Sequence, residues 1–336
     1  MAVLITVCVL LGVAGLGHAA GAPKKLTLKL QAHLIPDDTK RTMAAFADAV
    51  SALSGGQIEI KLFGVGAIVP MQDVLNAVGA KALDMALIAE GYWHKLIPVS
   101  EVAGLPFAFR DNAEAQQFMF RRGFGDLLKE GYAKHNVYHI PYETYPVTIM
   151  TKKPIVTTED FKGMKIRGYG VMAEWLNAMG ASTTYIPGGE LYTALATGVV
   201  DGTHWGDAGP MYIMKFHEVL KNYMMPEPIV GGWNNLIINM DLWKGLTPVQ
   251  QKIIETAAMG LGDFSSTVNT RVLSKTSLKK MVSDWGVKVN TVNDAEVEKM
   301  QKAAMVVWDK VAQKDPMNAK AIAMQNDFLK ELGYLK

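Results

Sequence analysis

Apolar and polar residues alternate at Leu26-Thr27-Leu28-Lys29-Leu30, the two-residue period of a half-buried strand. The period then lengthens. Met43, Phe46, Ala49, Val50 and Leu53 fall on one helical face, and Ser54-Gly55-Gly56 supplies the glycines that end a helix. Ile58-Glu59-Ile60-Lys61-Leu62 alternates again, residues 73–78 read as a short helix, and Asp84 to Ile88 as a third strand. Strand, helix, strand, helix, strand implies parallel pairing through crossover helices.

The alternation resumes in the second half. Strands are expected at 147–151, at 164–166, at 184–186 and at 199–202, with helices at 171–179 and 189–197 between them. This pattern predicts an α/β protein with one lobe over residues 20–144, a second over 145–229, and part of 230–290 returning to the first. From Thr247-Pro248-Val249-Gln250, an N-cap with proline at N1 and glutamine at N3, the pattern turns helical and runs toward Trp285. Gly260 and Gly262 are the expected bend points. A further amphipathic stretch covers 294–331 with a break near Pro316, so residues 245–336 read as long helices that span and pack on both lobes.

Size agrees with two lobes, because 336 residues exceed the length at which a single core usually stops growing. Hydrophobic residues make up 49% and charged residues 20%, a globular balance, and the formal net charge of +2 comes without a dense Lys/Arg run. That pattern gives no footprint for nucleic acid. Val3 to Gly17 is apolar or small throughout and is followed by Gly17-His18-Ala19, small at both cleavage-determining positions. Residues 1–19 are therefore expected to be a secretory signal cut between Ala19 and Ala20, although basic residues before the apolar stretch are absent. The single cysteine, Cys8, leaves with that segment, so the mature chain is expected to hold no disulfide, thiol nucleophile or thiolate metal site.

Ligands of open α/β sheets bind beyond the C-terminal ends of strands, and the groove between two lobes is the default site. Arg167 follows the strand at 164–166 and precedes Gly168-Tyr169-Gly170. A guanidinium there is a permanently charged planar fork for a carboxylate, or equally one half of a structural ion pair. His204-Trp205-Gly206-Asp207 follows the strand expected at 199–202. His204 with Asp207 admits an acid–base reading, but the mature chain's histidines at 33, 94, 135, 139, 204 and 217 show no metal-binding spacing, so no metal is expected. Trp205 offers a rigid apolar wall or core packing. Glu90 and Trp93 follow the third strand, Tyr142 and Tyr145 lie where the chain first crosses between lobes, and Trp233 and Asn234 lie near the return crossing. Each is a cleft candidate as well as a core candidate. No Gly-x-Ser-x-Gly elbow, phosphate-cradling glycine loop or dinucleotide fingerprint is present, so no enzyme activity and no cofactor are expected.

Three segments carry a resemblance: Lys153-Pro154-Ile155, Glu159-Asp160-Phe161-Lys162-Gly163-Met164-Lys165-Ile166-Arg167, and Gly189-Glu190-Leu191-Tyr192-Thr193-Ala194-Leu195 through Gly202. Together with Gly56 to Ile60, Leu83-Asp84-Met85 and Leu105 to Phe109, they closely resemble the DctP-type solute receptors of tripartite ATP-independent periplasmic (TRAP) transporters. The resemblance implies a two-lobed periplasmic-binding-protein-like fold with crossing strands and long spanning helices. It also implies a periplasmic location, a small organic acid as ligand, a sodium-driven membrane permease as partner, and hinge closure on the ligand. Arg167 would be the family's arginine that salt-bridges the ligand carboxylate, and Trp205 would sit at a ligand-contacting position. In 2-oxo-acid receptors of this family a Glu-Trp pair and a Gln hold a bridging metal. Here the pair is His204-Trp205 and the Gln position falls near Tyr145-Pro146, so direct carboxylate binding is expected. Some relatives form a homodimer through a terminal helix, which residues 294–336 would provide. The Trp- and Tyr-rich candidates lead to the expectation of an apolar or aromatic body behind the ligand's carboxylate. Alternative readings are a receptor for an ATP-driven importer or a sensor, and a secreted enzyme using His204 near Asp207.

Overall fold

A computed structural model describes residues 25–335. The expected secretory signal at 1–19 lies outside the described residues. The first lobe begins with β1 (Leu26–Ala32), α1 (Pro36–Leu53), β2 (Ile58–Phe63), α2 (Val74–Gly79) and β3 (Met85–Ala89). After α3 (Asn112–Arg121) and α4 (Phe124–Ala133) the chain enters β4 (Val137–Thr151), a strand of 15 residues. The second lobe holds β5 (Lys165–Arg167), α5 (Gly170–Ala178), β6 (Ser182–Thr184), α6 (Gly188–Thr197), β7 (Gly202–Trp205), α7 (Ala208–Ile213), α8 (Phe216–Val219) and β8 (Asn222–Met225). The chain returns through β9 (Ile229–Asn239) and α9 (Met240–Gly245) to α10 (Pro248–Phe264). The C-terminal part comprises α11 (Arg271–Trp285), β10 (Lys288–Thr291), α12 (Asp294–Lys314) and α13 (Pro316–Glu331).

The first-lobe sheet runs β2-β1-β3-β9-β4, parallel from β2 to β3 and antiparallel at β9 and β4. β4 carries straight on into the second sheet. Its last residues pair with β7, which continues to β5 and β6, while β8 pairs with the other edge of β4 and with β10. The architecture is therefore the two-lobed α/β arrangement with crossing strands that the resemblance implies. The pattern of residues anticipated only 147–151 of β4, because Pro141 and Pro146 punctuate it. Both prolines adjoin register shifts, at Pro141/Glu143 and Tyr145/Val147, where ladder hydrogen bonds are already interrupted and a missing N–H costs little.

Three apolar cores follow from this layout. One, with Leu28, Phe46, Val50, Ile58 and Ile254, lies between the first sheet and helices α1 and α10. Another, with Met150, Leu191, Leu195, Phe216 and Met281, lies under the second sheet. The largest is continuous across both lobes, joining Ile88 and Phe118 to Trp175, Val307 and Phe328. Helices α12 and α13 close that side, α12 against α5 and α13 against α4. Lys314 ties the lobes there, reaching Glu101 at 2.9 Å and Glu174 at 2.5 Å. The lobes thus share a core on one side, which leaves the opposite side free to form a groove.

Two expected boundaries are corrected. The strand placed at 184–186 is β6 at 182–184, and the one placed at 199–202 is β7 at 202–205, so His204 and Trp205 are strand residues and do not follow the strand. The break at Pro316 is where it was expected. The helix toward Trp285 is interrupted by a π-helical turn over Ser265–Thr270. Gly262 serves close approach: a Cβ there would lie 1.6 Å from the backbone oxygen of Tyr142, so α10 can rest on β4 only without a side chain. Gly260, two residues earlier, is exposed and a Cβ would meet nothing within 4 Å.

These two glycines give opposite predictions. Gly262→Ala forces α10 off β4 and should cost about 3 kcal/mol, the upper end of ordinary overpacking. Gly260→Ala should stabilise by up to about 1 kcal/mol through helix propensity. Urea unfolding of both variants checks the pair, and equal effects would contradict the packing of α10 on β4.

Candidate functional site

Arg167 is the last residue of β5, paired with Thr184 on one side and Thr203 on the other, so it emerges at the shared C-terminal edge of three parallel strands. It is only 2% exposed. Its Nε donates to the Ile186 carbonyl at 3.1 Å and its Nη1 to the His204 carbonyl at 3.3 Å. Those two carbonyls hold the fork without neutralising it. None of the ion pairs formed among the described residues includes Arg167. Aromatic faces surround it instead: its guanidinium carbon lies 4.9 Å from the Trp205 ring, 5.0 Å from Tyr169 and 5.5 Å from Tyr185. Such contacts favour the charged form without presenting a counter-anion.

The guanidinium opens into a cleft of about 190 Å³ between the lobes. One water needs roughly 10–15 Å³ of such space, so the cleft is large enough for a small organic molecule. The second lobe contributes Arg167, Tyr169, Tyr185, His204 and Trp205, and the first contributes His33, Asp38, Arg41, Tyr92, Glu143 and Asn234. Tyr145, on β4, lines this cleft and also a smaller cavity of about 50 Å³ behind it. The ring of Trp205 lies over Gly188, where a Cβ would approach it to 2.8 Å.

The first-lobe wall is a hydrogen-bonded chain. His33 Nε2 donates to Asn234 Oδ1 at 2.9 Å, and Asn234 Nδ2 donates to Glu143 Oε1 at 2.7 Å. Ser265 Oγ, from the π turn, donates to Glu143 Oε2 at 2.5 Å. Burial pushes the His33 imidazole down to about 4, so it is neutral near pH 7, and pushes the Glu143 carboxyl up. Asp38 is held by Arg41, which donates through Nε at 2.8 Å and Nη2 at 2.5 Å. On the opposite wall, burial and then the charge of Arg167 lower His204 to about 3. A neutral His204 leaves Arg167 as the one formal charge that the second lobe presents to the cleft among the described residues.

The expected site residues are not all brought together. Arg167, His204, Trp205, Tyr145 and Asn234 line the cleft. Asp207 does not: it caps α7, its Oδ1 accepting from the Gly209 amide at 2.9 Å, and it lines neither cavity. The acid–base pairing of His204 with Asp207 is therefore not assembled in the cleft. Glu90 is turned inward and accepts from Tyr132, His139 and Asn235, reaching only the smaller cavity. Trp233 also lines that cavity, edge-on to Phe120. Trp93 is core, edge-on to Tyr92, and lines neither. Sequence reasoning missed Glu143, His33, Asp38 and Arg41. The signal for Glu143 was the period of β4, since residues 143, 145 and 147 all face the cleft. Among the described residues no three His, Cys, Asp or Glu side chains group as metal ligands.

Residues 35–315 match the family model DctP, described as bacterial extracellular solute-binding protein, family 7. A monocarboxylate 2-oxoacid-binding periplasmic protein of Nostoc sp. is 25% identical over 280 residues, covering 80% of this chain and 74% of that protein. The sialic acid-binding periplasmic protein SiaP of Vibrio cholerae is 28% identical over 230 residues, covering 67% and 71%. Among solved structures, a TRAP transporter solute-binding protein of Bordetella bronchiseptica superposes with a TM-score of 0.85 at 19% identity, covering 92% of this chain and 93% of that one. It is described as a dimer with copurified calcium and picolinate.

Asp207 supplies a test of the electrostatics. Burial raises its carboxyl from 3.8 to about 7, so the folded protein binds more protons than the unfolded chain between those values. Its contribution to stability is present at low pH and is lost as pH rises through 7. Asparagine caps as well as aspartate. Asp207→Asn should therefore melt above the wild type at pH 8, with the gap narrowing by pH 5 and closing near pH 4, as followed by thermal denaturation. A gap that is constant with pH would contradict the burial of an ionisable carboxyl here.

Proposed function

The chain belongs to the DctP family of bacterial extracellular solute-binding proteins, and from that premise we propose that it is the periplasmic receptor of a TRAP transporter, carrying a small organic carboxylate to the membrane permease. The observation that carries the ligand class is Arg167: a buried guanidinium held by two carbonyls, ringed by aromatic faces, facing the cleft and paired with no carboxylate among the described residues. A permanent charge in that position is unfavourable until an anion arrives. A carboxylate supplies two charge-assisted hydrogen bonds in the geometry of the fork.

Binding is direct, with no bridging ion, and His204 stays neutral beside the anion. Trp205, Tyr169, Tyr185 and Tyr145 then sandwich whatever follows the carboxylate, which favours an apolar or aromatic body over a polyhydroxy one. Relatives that bind 2-oxo acids or picolinate are consistent with that class. Ligand bridges walls contributed by both lobes, so its binding draws the groove closed about β4 and β9, and the closed form is what the permease receives. Export across the inner membrane places the receptor in the periplasm. No helix among the described residues is long and apolar enough to cross a membrane.

Removing one partner of a desolvated charge pair costs about 2–5 kcal/mol. At about 1.4 kcal/mol per decade, Arg167→Ala should weaken binding by roughly 30-fold to several thousandfold. Arg167→Lys should also weaken it, because an ammonium is a point charge and not a fork. Titration calorimetry with the best acid from a thermal-shift screen measures both. Wild-type affinity in Arg167→Ala would overturn the assignment, and melting shifts confined to sugar acids would overturn the apolar body.

A further inference from the structure

The cleft contains two buried ionisable groups of opposite kind that do not pair with each other. On the second-lobe wall stands Arg167. On the first-lobe wall stands Glu143, 6% exposed. Its two oxygens each accept one hydrogen bond, from Asn234 and Ser265, and both donors are neutral. Each carboxylate oxygen has two acceptor positions, so one on each remains. None of the ion pairs among the described residues includes Glu143. Burial raises the Glu143 carboxyl, the nearby Arg41 charge offsets only part of that, and the hydrogen bonds of Arg41 go to Asp38. With His33 neutral and Asp38 paired with Arg41, Glu143 is the carboxyl of the first-lobe face that has no cationic hydrogen-bond partner among the described residues. The second-lobe face sums to one positive charge from Arg167.

A simple monocarboxylate satisfies only half of this arrangement, since its anion neutralises Arg167 and leaves the remaining acceptor positions of Glu143 unfilled. A hydroxyl at the far end supplies a hydrogen bond but no charge. A protonated amine supplies both, and an amine–carboxylate bond is among the stronger hydrogen bonds available in a desolvated site. We infer that Glu143 is a second ligand-binding side chain and that the solutes of this receptor are organic acids carrying a protonated amine at the end remote from the carboxylate, a zwitterion bridging the two walls. The aromatic side chains between the walls fit the apolar segment that separates the two charges. This inference rests on the carboxylate reading of Arg167 and narrows it.

The test is calorimetry on the mature protein with three matched probe series of increasing chain length: ω-amino carboxylates, ω-hydroxy carboxylates and unsubstituted carboxylates. The expected result is that the best amino acid binds wild type at least about tenfold more tightly than its unsubstituted counterpart, a difference of about 1.4 kcal/mol. Glu143→Gln, with its folding checked by melting temperature, brings that ratio close to one. Equal or tighter binding of the unsubstituted or hydroxy series by wild type overturns the inference, as does a preference for the amine that survives Glu143→Gln. Arg167→Ala separates the two readings. If it weakens every series while the amine preference is absent, the carboxylate reading stands and the zwitterion falls. If it weakens none, or if wild type binds no probe, both fall.

Discussion

A fixed positive charge buried without an internal counter-anion is the constraint around which this molecule is arranged. Arg167 keeps its place because β5 ends between β6 and β7, whose neighbouring carbonyls at Ile186 and His204 take two of its donors. Trp205 and Tyr169 exclude water from its flanks without cancelling its charge. The low pKa of His204 follows from burial beside that same charge. Folding bears the desolvation in order to keep the fork open, which is the expected signature of a binding group and a poor way to gain stability.

The fold makes such a site addressable from two sides. β4 runs from the first sheet into the second, β9 lies antiparallel to its first part, and their pairing is irregular at Pro141/Glu143 and Tyr145/Val147. Glu143, Tyr145 and Asn234 reach the cleft from this pair. On the far side a continuous core, the helices α12 and α13 and the Lys314 ion pairs hold the lobes together. The proposed closure therefore acts on the groove face. Helix α10, seated on β4 through Gly262, and the π turn carrying Ser265 bring the far end of the chain back to the wall beside Glu143.

Much of this was legible in the sequence. Local periodicity located β1 to β3 with the helices between them, and the break at Pro316. The segment around Arg167 resembled a known receptor family strongly enough to imply the architecture. What could not be read was whatever depends on distant chain segments. β4 looked discontinuous because its prolines are tolerated only at the irregularities of its pairing with β9. Asp207 and Glu90 resembled cleft groups because they follow strands, yet one caps a helix and the other is consumed by Tyr132, His139 and Asn235. Glu143 carries no motif at all, and its exposure to the cleft follows from strand period and lobe placement together. Gly262 was read as a bend point, and the sequence alone did not show that it is where α10 touches β4.

A crystal structure of the purified protein with its bound solute measures the geometry at Arg167. The expected result is a solute carboxylate with both oxygens at about 2.7–2.9 Å from guanidinium nitrogens of Arg167, within the cleft and with no ion between them. A solute held elsewhere, or an Arg167 turned onto a carboxylate of the protein itself while the solute occupies the groove, would contradict it.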